Sequence, residues 1–209
     1  MPSGAEERGE PRELPDWFVP VAEDVEEYCR PKEGLWVDLG CGRGGLGLAL
    51  AQQSRSTVLL VDPNARALGA GLDRARESGL AGRVMAIAAV AESIPLPDGS
   101  VDLVVSRGSI FFWNDPPRGL REAHRVLRPG ARAMIGGGFG TRYPGWAYRE
   151  FFRRRYEALE VEGEEATRRW HEPRRMEWLV GHARTAGLGD LLLSPTPPTR
   201  WLLFEKEKT

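Results

Sequence analysis

Short apolar runs alternate along this chain with longer segments whose apolar residues recur every three or four positions. Residues 35–39 (LWVDL), 57–61 (TVLLV), 83–88 (RVMAIA), 101–106 (VDLVVS) and 131–135 (ARAMI) are near-continuous apolar runs, mostly flanked by glycine, serine or aspartate. That pattern predicts buried strands. Over 16–30, Phe18, Val21, Val25 and Tyr28 fall on one helical face, and helices are also predicted over 44–53, 64–78 and 115–127. Pro129-Gly130 stops the last of these. Strands that alternate with helices predict βαβ units and a parallel sheet, covered on both faces as its apolar strands require.

Beyond Gly140 the texture changes. Residues 144–187 form one long helical stretch rich in Arg, Glu and Trp, with breaks expected at Gly163 and Pro173, and an insert is assigned to 141–187. Two strand-like runs follow, 190–193 and 201–205, joined through SPTPPT. The joint is too short for a crossover helix, so these strands should pair antiparallel. Residues 1–15 (MPSGAEERGEPRELP) are acidic and proline-rich, which predicts a disordered lead-in unlike a signal peptide. Residues 16–209 read as a single domain.

With 209 residues, 41% of them apolar and 28% charged, the chain can bury a full core without disulfides or metals. A formal net charge of −1 excludes an overall positive field that would gather nucleic acid or anionic lipid. The Arg clusters of the insert are interleaved with Glu, as on a salt-bridged helix surface. Cys29 and Cys41 are too few for a disulfide framework or a zinc site, and a reducing cytoplasm is expected. No apolar stretch approaches the ~18 residues needed to span a bilayer.

Candidate chemistry begins at WVDLGCGRGGLG, residues 36–47. Gly40, Gly42 and Gly45 spell GxGxxG, a short motif that recurs by chance. A strand, glycine loop and helix bring backbone amides close to a ligand. Asp62, about twenty residues on, is placed to accept from ribose hydroxyls. Both features suit any ribose-bearing cofactor. Asp38 separates them, because it sits two residues before Gly40 at the ligand end of the first strand and would repel a dinucleotide pyrophosphate. Like charges ~4 Å apart cost about 1 kcal/mol even in bulk water. A nucleoside that carries an ammonium group and no phosphate, such as S-adenosyl-L-methionine, would welcome that acid.

VDLGCGRGG, LLVDPN, AESIPLPDGSVDLVVS and EAHRVLRPGARAMI, over about residues 33–140, resemble the class I S-adenosylmethionine-dependent methyltransferases in order and spacing. The resemblance implies a Rossmann-like, doubly wound, seven-stranded and mostly parallel α/β sheet with an antiparallel last strand. It implies that Gly40, Gly42 and Gly44 line the cofactor loop, that Asp38 lies near the methionyl amino group, and that Asp62 holds the ribose. Ala91 and Glu92 would border the adenine through their backbone, and Pro63 and Ser106 complete the expected cofactor set. Val90 stands where many relatives carry an aspartate that bonds the adenine amino group.

On the acceptor side, SRGSIFFWNDPP places Phe111 and Phe112 where relatives often carry a His pair. Arg107, at the end of the fourth strand, and Tyr143, which with Phe139, Arg142 and Trp146 begins the insert's roof, complete the expected acceptor residues. Asn114-Asp115 before two prolines reads as a helix cap. His124 reads as structural, whereas His171 and His182 are either exposed helix residues or within reach of the pocket. No side chain is assigned as general base, so catalysis is expected to rest on positioning. The expected function is methyl transfer to a small-molecule acceptor, without nucleic acid or membrane partners. The alternatives are a non-catalytic S-adenosylmethionine-binding protein, an RNA methyltransferase and a dehydrogenase.

Overall fold

The structure, a computed structural model, describes residues 13–171, 175–189, 192–193 and 200–208. Its N-terminal helix α1 (Phe18–Cys29) precedes strand β1 (Leu35–Leu39), helix α2 (Gly45–Gln53), strand β2 (Thr57–Asp62), helix α3 (Ala65–Glu77) and strand β3 (Val84–Ala88). Strand β4 (Val101–Arg107), a 3-10 turn (Ile110–Phe112), helix α4 (Pro116–Val126) and strand β5 (Leu127–Gly137) follow. Helices α5 (Gly145–Glu162), α6 (Glu164–His171) and α7 (Met176–Thr185) make the insert, before β6 (Leu192–Leu193) and β7 (Arg200–Glu205).

The sheet runs β3-β2-β1-β4-β5-β7, with the two-residue β6 on the outer edge of β7. The first five strands pair in parallel, and β7 pairs antiparallel with β5 from Gly137↔Arg200 to Arg132↔Glu205. Successive strand side chains point to opposite faces, so each apolar strand feeds two cores. Trp36, Val58, Leu60, Leu103, Val105 and Met134 pack with α1, α2 and α3. Val37, Leu59, Val61, Val104 and Ile135 pack with α4 and α7.

Sequence and structure agree closely through α4. Asn64 caps α3 by accepting from the Ala67 amide at 3.1 Å, and Asp115 caps α4 by accepting from the Arg118 amide at 3.0 Å, with Pro116 at the first turn. Strand β5 is longer than the predicted 131–135. Pairing with β4 skips from Val101↔Leu127 to Leu103↔Arg132, so Pro129-Gly130 sits in an irregularity inside the strand rather than before it. The helical insert breaks at Gly163, whose φ of 92° is open to glycine at little cost. The expected break at Pro173, and most of the predicted lead-in, lie outside the described residues. Leu14, within that lead-in, packs against Phe139, Tyr143 and Ala147.

Candidate active site

Strand order reverses between β1 and β4, the place where open α/β sheets bind ligands beyond the carboxyl ends of their strands. From β1 the chain enters a loop in which Gly40, Gly42 and Gly44 have φ of 68°, 55° and 74°. These are left-handed values that a side chain adopts only at a cost. The loop is tied to β2: the Gly40 and Cys41 amides donate to the Val61 carbonyl at 2.7 and 3.1 Å. The Gly42 amide donates to Asp62 Oδ2 at 2.8 Å, and the Asn64 amide donates to Asp62 Oδ1 at 2.9 Å. Asp62 thus fixes the loop while its carboxylate keeps further acceptor positions. A Cβ on Gly42 would enter open space, so this face of the loop is an unfilled cradle. Gly45 serves packing instead, because a Cβ there would strike the Phe18 ring.

Asp38 lies beneath the loop, 2% exposed, and its Oδ2 accepts from the Gly47 amide at 2.7 Å. Burial pushes its carboxyl up to about 7, with a further push from Asp62, against the lowering effects of the Gly47 amide and Arg107. An acid balanced near neutrality in a dry site gains most from a cationic partner. The loop, Asp38 and Asp62 therefore fit the charge and hydrogen-bonding character of S-adenosylmethionine.

Arg107 ends β4 on the same side of the sheet. Its Nε donates to the Gly138 carbonyl at 2.8 Å. Its guanidinium carbon stands 5.2, 5.4 and 5.7 Å from the ring centres of Phe18, Trp17 and Phe139, within cation–π range. Burial lowers its pKa to about 10, opposed by Asp16, Asp38 and Tyr143, so it stays charged at neutral pH. Beside it opens a cavity of about 470 Å³, whose wall includes Arg107, Phe111, Phe139, Phe151, Trp170 and Arg200.

The structure brings Arg107 and Phe111 to this cavity but sends the next ring elsewhere. Phe112 is 77% exposed and does not line it. Tyr143 backs the wall from behind: its ring stacks on Phe139 at 4.7 Å and its hydroxyl donates to the Pro15 carbonyl at 3.2 Å. Of the other residues expected beside the cofactor, Ala91 is buried, Pro63 is exposed, and Glu92 accepts from the Asp115 amide at 3.0 Å. Ser106 is buried within a polar relay that sequence reasoning missed. Ser109 Oγ donates to the Leu39 carbonyl at 2.9 Å, which leaves it to accept from Ser106 Oγ at 2.6 Å and Trp113 Nε1 at 3.1 Å. His171 lines the cavity, His182 packs on Trp178, and His124 faces Glu207 elsewhere. Trp17, Arg175 and Arg200 were also missed as site residues. Their positions along the chain carry no local signal, since only the sheet order and the insert bring them to Arg107.

Comparison with known proteins bears on the same segment. Residues 37–135 match the profile of the family described as "Methyltransferase domain". Over 101 residues the chain is 34% identical to the ubiquinone/menaquinone biosynthesis C-methyltransferase UbiE of Vibrio vulnificus, covering 47% of this chain and 39% of that protein. Over 102 residues it is 39% identical to 2-methyl-6-phytyl-1,4-hydroquinone methyltransferase 2 of Oryza sativa, covering 48% and 28%. The chain therefore spans well under half the length of these curated relatives. A crystal structure of a candidate S-adenosyl-L-methionine-dependent methyltransferase from Methanococcus maripaludis superposes with a TM-score of 0.79 at 26% identity, covering 92% of this chain and 86% of that one. Residues 37–135 are thus similar to a methyltransferase domain, in a chain whose fold resembles that of a candidate S-adenosylmethionine-dependent methyltransferase.

Proposed function

We propose that the whole chain is an S-adenosylmethionine-dependent methyltransferase that acts on a small-molecule acceptor. The observation that carries this reading is the Asp62 carboxylate fastened to the Gly42 amide at 2.8 Å, which sets a ribose-binding acid against an open glycine cradle. When bound, the cofactor supplies an electrophilic methyl group on a sulfonium. In this reading Gly40, Gly42 and Gly44 offer backbone, Asp38 attracts the methionyl ammonium, Asp62 with Pro63 borders the ribose, and Ala91 and Glu92 border the adenine. Ser106 acts through Ser109, by supporting the Leu39 carbonyl next to the loop.

Arg107 and Phe111 face the acceptor, and Tyr143 holds the Phe139 wall in place. Phe112 keeps an acceptor role only at the outer rim. The chain's contribution is to hold the two reactants in line and exclude water. One curated relative is named for ubiquinone/menaquinone biosynthesis and the other for a 2-methyl-6-phytyl-1,4-hydroquinone, which supports a ring-bearing acceptor. We also read the Leu192–Leu193 pairing as the described part of a seventh strand, and assign the protein to the cytoplasm. The latter rests on its two free cysteines, both with thiols pushed up by burial and so held unreactive.

The test is calorimetry with S-adenosylmethionine, S-adenosylhomocysteine and NAD, followed by incubation of labelled cofactor with a metabolite extract. The expected result is tight adenosyl-cofactor binding and label in a small product. Tight NAD binding without a response to either adenosyl compound would overturn it. Cofactor binding without any labelled product would favour a non-catalytic binder.

A further inference from the structure

The cavity beside Arg107 has an unbalanced wall. Arg107, Arg175 and Arg200 all line it, and among the described residues no aspartate or glutamate does. Three arginines of the insert are satisfied locally: Arg153 by Glu150 and Glu157, Arg154 by Glu150, and Arg155 by Glu162. Among the described residues Arg175 and Arg200 have no ion pair. Arg107 feels Asp16 and Asp38, but among the described residues its one hydrogen bond is from Nε to Gly138, which leaves the ends of the guanidinium fork for a ligand. Like charges gathered around a partly enclosed space repel one another unless an anion joins them.

The rest of the wall is aromatic. Phe151 meets Trp17 edge-on at 5.8 Å and 77°, and Phe139 at 4.9 Å and 72°, while Phe111 is braced by Trp178 at 6.1 Å. Rings fixed in this way present both faces and edges, which suits a flat unsaturated guest. Gly108, Gly137 and Gly138, at the ends of β4 and β5, also line the cavity.

Resting on the methyltransferase reading, we propose that the acceptor is an aromatic oxyanion: a planar, mostly apolar molecule with a carboxylate or phosphate held by Arg107, Arg175 and Arg200. The arginine fork matches either group bidentately, and the aromatic wall holds the ring. A cavity of about 470 Å³ accommodates a molecule of one to three fused rings.

The test is calorimetry on the full chain saturated with S-adenosylhomocysteine, using 2-naphthoate, 2-naphthyl phosphate and the neutral 2-naphthamide. At least one anion should bind about tenfold or more tighter than the amide, as charge-assisted hydrogen bonds require. Which anion wins distinguishes carboxylate from phosphate. Arg175→Gln and Arg200→Gln should each weaken the anion several-fold, leaving the amide and S-adenosylhomocysteine unchanged. Equal binding of anions and amide, no anion binding beside intact S-adenosylhomocysteine binding, or arginine variants that leave the anion untouched would each overturn the proposal. Failure to bind S-adenosylhomocysteine at all would instead overturn the methyltransferase reading on which it rests.

Discussion

Two aspartates near the loop do different work. Asp62 sits at the mouth of the cradle, and Asp62→Ala should cost about 1.5–3 kcal/mol of cofactor binding, the scale of charge-assisted hydrogen bonds. Asp62→Asn should cost less, since it keeps one acceptor oxygen. Calorimetry on both variants measures this, and unchanged affinity in the alanine variant would place the ribose elsewhere. Asp38 gives a pH signature. Its folded carboxyl is raised from 3.8 to about 7, so the folded chain holds this proton more tightly than the unfolded one. Its contribution to the stability of the free protein is therefore greatest in acid and falls as pH rises toward 7. Cofactor binding should move the other way: a cationic ligand prefers ionised Asp38, so affinity for S-adenosylmethionine should rise between about pH 6 and 8. Asp38→Asn should flatten that slope, and a flat wild-type profile would exclude Asp38 as the ammonium's partner.

At the scale of elements, α1 closes the site. Its Phe18 ring covers Gly45, and Trp17 beside it stands over Arg107. The helix is held there by Asp24, buried, whose two oxygens accept from the Thr141 amide at 2.8 Å and the Thr141 hydroxyl at 2.6 Å. One bond pair thus joins α1 to the start of the insert. Burial raises the Asp24 carboxyl, so its charge is tolerated rather than favoured, and the geometry of the two bonds is what matters. Asp24→Ala should lower unfolding free energy by about 1–3 kcal/mol, because the two hydrogen bonds that Thr141 donates to the Asp24 carboxylate are lost. Asp24→Asn should lose less. Urea denaturation of the two variants checks this, and an unchanged midpoint for the alanine variant would show that α1 is held by its apolar contacts alone.

At the scale of the molecule, the glycine loop lies where the strand order reverses, the cavity lies beside the ends of β4 and β5, and arginines on the insert's surface are paired with its glutamates. A strand of nucleic acid needs a continuous basic track, and the cavity's arginines are gathered around one partly enclosed space instead. RNA should therefore not compete with methyl transfer at about 0.15 M salt. Saturable methylation of RNA in the same assay would overturn this. Among the described residues no helix is long and apolar enough to cross a membrane.

What the sequence alone determined is whatever depends on neighbours along the chain. Apolar periodicity placed β1 to β4 and α1 to α4, because the pleat and the helical turn are local. The glycine loop was legible for the same reason, since left-handed φ at Gly40, Gly42 and Gly44 is a demand made position by position. The caps at Asn64 and Asp115 act over three residues. Tertiary structure decided the rest. Phe111 and Phe112 are adjacent and chemically identical, and only the 3-10 turn and the packing of Trp178 send one to the cavity and the other to the surface. Pro129-Gly130 looked like a strand boundary, but an irregularity opposite β4 admits it into β5. The aromatic cage of Arg107 and its companions Arg175 and Arg200 come from opposite ends of the chain. No local pattern brings them together, because their proximity follows from how β7 inserts beside β5 and how the insert folds over both.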